Sequence, residues 1–100
     1  MANLVDTVKE AVFWYAASHD NIKMFKLVDD VEQVYAVNIL DTHNRQKNAG
    51  VVVIARVQGD LVIIEEDLTD RPLVDRLVAA GVPRDKIIMA YMGEPVPEPN

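Results

Sequence analysis

"GVVVIARVQGDLVIIEED", residues 50–67, decides the fold. Two runs rich in β-branched residues flank Gly59-Asp60, a two-residue hairpin signal. "VVVIARV" (51–57) is the outgoing strand and "LVIIEE" (61–66) the return. So short a turn sets the register. Val57 is expected opposite Val62, Ala55 opposite Ile64 and Val53 opposite Glu66. That nearly all-apolar face should meet a helix. The other face carries Val52, Ile54, Arg56 and Gln58 opposite Glu65, Ile63 and Leu61, apolar in the middle with charges around it. A sheet apolar on both faces is covered on both. One amphipathic helix covers one side; the second needs another helix or a second molecule.

Downstream, "DLTDRPLVDRLVAAGVPRDKI" (67–87) reads as a strand exit, a short helix and a re-entry. Leu73, Val74, Leu77 and Val78 form a narrow apolar stripe, with Asp75 and Arg76 outward. The N-cap is Thr69 or Asp70. Asp70 is the cleaner choice, because it puts Pro72, which has no N–H, in the first turn where a missing donor costs little. Gly81 takes the left-handed position after the last turn, Val82 packs back on Leu77, and Pro83 blocks continuation. Such punctuation suits a helix of about three turns, because short isolated helices are marginal. "IIMAYM" (87–92) is a final strand, and "GEPVPEPN" a proline-rich tail, extended and solvated.

Upstream, Leu4, Val5, Val8, Ala11, Val12, Tyr15 and Ala16 recur at helical spacing, predicting a helix over 3–18. Asn3 is its N-cap, with Asp6 near the positive end of the dipole. Phe13 and Trp14 flank the stripe. Either loops and the sheet edge cover them, or they form a partner surface, since Trp is common among interface anchors. "IKMFKLV" (22–28) and "VYAVNIL" (34–40) are strands around a polar turn, the second with Tyr35, Val37 and Ile39 on one face. "DTHNRQKNAG" (41–50) is a long polar hairpin loop. The fold class is therefore α+β: a mainly antiparallel sheet of about five strands, with an N-terminal helix and a short C-terminal helix, in the order α-β-β-β-β-α-β. Residues 1–94 form one domain and 95–100 a flexible tail.

The chain has 100 residues, half of them apolar, and a net charge of −6. Its ten basic residues are scattered, whereas nucleic-acid binding needs clustered cations. Direct binding to nucleic acid is not expected. No apolar run approaches the ~18–20 residues of a membrane span, and "MANLVDTVKE" lacks the pattern of a secretory leader. A cytoplasmic protein is expected. With no cysteine, disulfides, thiolate metal sites and cysteine nucleophiles are excluded. His19 and His43, the only histidines, sit in polar stretches without metal-ligand spacing. Ser18, the only serine, falls at the end of the first helix, a poor start for a triad. Four glycines form no phosphate loop. No cofactor or metal is expected. Carboxylates cluster twice, at Asp29, Asp30 and Glu32 and at Glu65, Glu66, Asp67 and Asp70, and in the second Glu65, Asp67 and Asp70 are weighed as a site. Following a strand and preceding a helix, they could hold a hard cation as in a nuclease, but "EED" is followed by Leu68 where such sites usually add a lysine. The competing reading is architecture: Asp67 in the turn, Asp70 as the cap.

The series Gly50, Gly59-Asp60, Asp67-Leu68-Thr69-Asp70, Leu77-Val78, Gly81-Val82-Pro83-Arg84 and Ile87-Ile88-Met89-Ala90-Tyr91 resembles the XisI-like family. These are the fdxN element excision controlling factors found mainly in cyanobacteria. The likeness covers residues 21–95 well and the first helix by placement only. The chain departs from the family pattern at Ile54 and Arg56, where His and Asp are typical, at Ile63, where Trp is typical, and at Leu68, which replaces a glycine. The first three lie on the second sheet face, so its partner preference is expected to be altered.

The resemblance implies a non-catalytic accessory or regulatory protein that acts with a nuclease-like, XisH-like partner in DNA element excision. The acidic balance suits a basic partner better than phosphate. Trp14, Ile54, Arg56 and Ile63 are the expected partner-binding residues. Gly59, Asp67, Thr69, Asp70, Gly81 and Pro83 are structural, and a homodimer through the second face is a further expectation. The rival is a small metal- or ligand-binding enzyme using Glu65, Asp67 and Asp70.

Overall fold

Asn3 starts the first helix, α1 (Leu4–Phe13), by accepting the Asp6 N–H on its side chain. A computed structural model, which describes residues 3–44, 46–47 and 49–98, gives the rest of the fold. Arg45 and Asn48 of the predicted hairpin loop and Pro99 and Asn100 of the predicted tail lie outside the described residues. The helix is shorter than the 3–18 its pattern predicts. After Phe13 the bonds tighten to Tyr15 N–H on Val12 O and Ala16 N–H on Phe13 O. Val8 and Val12 are fully buried, each worth about 1.5–3 kcal/mol over an exposed valine.

Four strands come next: β1 (Ile22–Asp29), β2 (Val34–Asp41), β3 (Gly50–Gln58) and β4 (Leu61–Asp67). They lie side by side in chain order, all antiparallel. Gly59 has φ +63°, which a two-residue hairpin turn with glycine first requires. At the β1–β2 turn Asp29 accepts the amides of Val31 and Glu32. The second helix, α2 (Leu73–Ala79), leads through a 3-10 turn to β5 (Ile87–Met89), which pairs parallel with β4. The predicted last strand over 87–92 is thus half as long. Met89 N–H donates to the Glu94 side chain, and Ala90–Met92 is a 3-10 turn.

Both helices pack on one side of the sheet, with Tyr35, Val37, Val53, Ala55, Val57, Val62 and Ile64 beneath them. This is the face predicted to meet a helix. Two bulges correct its register. Val37 pairs with Val53 but Asn38 with Val51, so Val52 is an extra residue that packs toward the core. Ala55 pairs with Ile64 but Ile54 with Glu66, so Glu65 is extra on β4. Each bulge swaps the faces of the residues beyond it. Glu66, predicted opposite Val53 on the helix side, stands instead on the open face opposite Ile54. Asp67 takes its place opposite Val53.

The end of α2 matches the sequence reading closely. Gly81 has φ +100°, its N–H reaches Val78 O, and Val82 N–H reaches Leu77 O at 3.0 Å. That is a Schellman stop, with Val82 buried as its apolar contact. The start of α2 differs. Pro72 occupies the N-cap position with no side-chain cap of its own, and Asp70 makes no capping bond among the described residues.

Candidate functional site

Three places carry the residues singled out in the sequence. The first is the open face of the sheet. Strand alternation puts Phe25, Leu27, Val34, Ala36, Asn38, Val51 and Ile54 there, and no helix among the described residues covers them. Phe25 and Leu27 are 42% and 45% exposed. A shallow groove of about 310 Å³ runs between Leu27, Val34, Ala36, Asn38, Val51 and Ile54. Asn38 Oδ1 is buried beneath it with no hydrogen-bond partner among the described residues. At the far end Arg56 Nε meets Glu65 Oε2 at 2.7 Å, and its Nη1 donates to Gln58 Oε1 at 2.9 Å. Gln58 Nε2 in turn donates to Pro97 O, so the tail returns to this end of the face. Ile63 beside Arg56 has no exposed surface at all.

The second place is the acidic turn. Asp67 Oδ1 accepts from the Thr69 N–H at 2.9 Å and lies 2.6 Å from the Thr69 hydroxyl. Asp67 Oδ2 accepts from the Leu73 N–H at 2.7 Å. This carboxylate, six residues upstream, does the capping expected of Asp70. The bulge at Glu65 turns Asp67 toward α2, where the orphan donors of the first helical turn lie. Glu65 goes the other way, to Arg56. The three predicted carboxylates therefore do not converge, and no group of three or more His, Asp or Glu among the described residues is arranged to hold a metal ion. Ser18 Oγ accepts from the Met24 N–H, and His19 and His43 are exposed.

The third is the corner where α1 meets α2. Trp14 is 45% exposed, the Arg76 guanidinium lies 3.6 Å from its ring centre, and Arg71 lies at 5.6 Å. Tyr15 stands edge-on to Trp14 and donates its hydroxyl to Arg71 O. Burial pushes the Tyr15 phenol above its ordinary pKa. Trp14 is on the helix side of the sheet, away from Ile54, Arg56 and Ile63. Three of the four expected partner residues thus fall on two surfaces, Trp14 on one and Ile54 and Arg56 on the other, and the fourth, Ile63, is fully buried.

Sequence reading missed one network. Buried Tyr35 donates its hydroxyl to Asp30 Oδ1 (3.1 Å), and Lys9 Nζ meets the same oxygen at 3.0 Å. The Lys9 ammonium holds the Asp30 carboxyl below its usual range, helped by the Tyr35 hydrogen bond. Burial, then the Asp30 hydrogen bond, raises Tyr35. A tyrosine facing inward on β2, next to the acidic turn, was the available signal.

The sequence model of the XisI protein family matches residues 2–97. The chain belongs to the XisI family. Among solved structures, a XisI-like protein from Anabaena variabilis ATCC 29413 superposes with a TM-score of 0.72 at 22% identity, covering 85% of this chain and 81% of that one. The fdxN element excision controlling factor XisI from the same organism superposes at 0.63 with 20% identity, covering 86% and 83%. At such identities these two share the fold. No curated relative matches this XisI-family chain. The family resemblance drawn from Gly50 to Tyr91 is borne out and extends over α1. No helix among the described residues is long and apolar enough to cross a membrane.

Proposed function

We propose that this XisI-family chain is a non-catalytic controlling factor in the excision of a DNA element, acting inside the cell by holding a nuclease-like, XisH-like protein. The family match over residues 2–97 carries the reading. Three features support it. The Asp67 carboxylate is occupied in capping a helix, and Glu65 in an ion pair. The net charge of −6 suits a basic protein partner. Apolar side chains stand open at Trp14 and, on the sheet face, at Phe25 and Leu27 beside the groove that half-buried Ile54 lines, as binding surfaces require.

The Trp14 corner is the better anchor for a heterologous partner. A large aromatic already fixed by Arg76 loses little side-chain entropy on binding. The test is co-purification of the tagged full chain from its host at moderate salt, for wild type and Trp14→Ala. A nuclease-like protein in stoichiometric amount, reduced about tenfold or more by Trp14→Ala, is expected. Recovery of the chain with no such protein refutes the proposal.

A further inference from the structure

We propose that the Trp14 corner takes a carboxylate: the protein partner presents an acidic side chain with apolar neighbours, and Arg71 and Arg76 hold it beside the indole. The inference rests on the proposed function and names the partner's chemistry at that same site.

The stacked group offers donors and lacks acceptors. Neither guanidinium has an ion-pair partner among the described residues. Arg71 enters hydrogen bonds only through its carbonyl. Only Nε of Arg76 is buried, and the side chain lines a groove of about 290 Å³ between α1 and α2. The indole N–H, a donor only, also meets no acceptor among the described residues. Carboxylates are not scarce in this chain, with 16 acidic residues to 10 basic. Arg56 and Arg84 each meet one, at 2.7 and 3.7 Å. Arg71 and Arg76 meet none, although Asp70 and Asp75 precede them directly.

Their spacing suits one shared anion. The guanidinium carbons lie 3.6 and 5.6 Å from the same ring centre, and so at most about 9 Å from each other. Like charges that close repel. An Arg–carboxylate contact sets the two carbons about 4 Å apart, so one carboxylate can reach both arginines. Arg76 is already held on the ring and loses little freedom when it binds.

The surroundings favour a protein side chain over a phosphate backbone. Glu10 lines the groove beside Arg76, and Asp70 the groove beside Arg71. A nucleic-acid strand running through either would bring its next phosphates against a carboxylate. A single acidic side chain avoids both. Its apolar neighbours have room in the second groove, of about 640 Å³, against Tyr15, Ala17 and Met24. The net charge of −6 still draws a basic protein to the chain as a whole, and the corner selects one acidic side chain on it.

The test uses the full-length chain in its host and the nuclease-like protein that it recovers. Arg76→Gln keeps a flat side chain beside Trp14 and removes the charge. Combined with Arg71→Gln, it should lower recovery about tenfold or more, while Arg76→Lys should retain most of it. A water-soluble carbodiimide joins an amine and a carboxylate in contact as an amide. Applied to the Arg76→Lys complex, it should link position 76 to an Asp or Glu of the partner, as read by peptide mass mapping. Circular dichroism confirms each fold, and Arg71 is exposed, so at least Arg71→Gln retains it. Unchanged recovery in the double variant overturns the proposal. So does coupling of position 76 only to Glu10 or Asp75 of the same chain, which would give the guanidinium an internal partner. A thymidine oligonucleotide should leave the tryptophan emission unchanged; a response that Arg76→Gln removes would overturn the proposal in favour of phosphate. Recovery that needs Trp14 but is indifferent to both arginines removes this inference and keeps the proposed function, whereas no nuclease-like protein at all removes both.

Discussion

Replacing Asp67 by Ala tests the reading of the acidic turn. The substitution removes the acceptor of the Leu73 N–H at 2.7 Å and of the Thr69 N–H at 2.9 Å, and frees the Thr69 hydroxyl at 2.6 Å. Loss of a helix cap costs about 0.5–2 kcal/mol, and a hydrogen bond to a charged group about 1.5–3 kcal/mol when buried. The site is only part-buried, so water replaces some of the loss. The expected cost is about 2–3 kcal/mol, or on the order of 10 °C in Tm for a domain of this size. Asp70, exposed and without a capping bond, sets the contrast. Asp70→Ala should stay within about 0.5 kcal/mol. Urea titrations followed by circular dichroism measure both. Equal costs, or an Asp67→Ala within about 0.5 kcal/mol of wild type, would refute the capping argument. Calorimetric titration with Mn²⁺ adds an independent check: heat that disappears in Asp67→Ala would make the turn a metal site.

Gly81→Val should destabilise by about 1 kcal/mol or more in the same titration, because φ +100° is strained for a β-branched residue; unchanged melting would remove the Schellman stop. The Lys9–Asp30–Tyr35 network gives the stability curve two edges. Asp30 is lowered in the fold, so its contribution is present above the unfolded value of about 4 and is lost as pH falls through the folded one. Tyr35 and Lys9 are raised, so theirs hold below about 10 and are lost as pH rises further. Tyr35→Phe should therefore flatten part of the alkaline loss in a series of melts, and an alkaline edge identical to wild type would show that Tyr35 does not contribute. Arg76→Ala should cost about 1 kcal/mol through the lost stacking on Trp14 and shift the emission of this single tryptophan; identical emission would mean the stack does not persist in solution.

Local chemistry decides the parts of the fold that are legible in the sequence. Gly59-Asp60 and Gly81-Val82-Pro83 each fix a backbone turn within a few residues, and both can be read directly. So can the face of Tyr35, Val53, Ala55 and Val57, because alternation runs undisturbed from the hairpin. Two residues hide the rest. Val52 is β-branched and apolar, so it suits either face and gives no sign of being a bulge. Glu65 continues from Ile64 with no break in the strand, yet it is the residue that reverses Glu66 and Asp67. Beyond it, simple alternation puts residues on the wrong faces and leaves Asp70 as the nearest cap. The pattern overstates α1 because Tyr15 and Ala16 continue its spacing. Their places are set by the Arg71 carbonyl and the approach of α2, 56 residues away for the Tyr15 bond. The orphaned Asn38 oxygen and the stacking of Arg76 on Trp14 are long-range facts that no spacing encodes.

Strand order also governs how the chain assembles. Because β1 to β4 lie in the order in which they are made, each can dock on the strand just before it. Loop-closure costs stay small along that series. α1 is the exception: it is synthesised before every strand of the sheet, yet it packs on β2, β3 and α2. Until those have left the ribosome, Val8 and Val12 have no surface to bury against, and a helix of 10 residues does not persist alone. Hydrogen exchange during refolding would show amides of the β2–β4 meander protected before those of α1. The first helix is thus the element whose folding must wait on residues about 60 positions later.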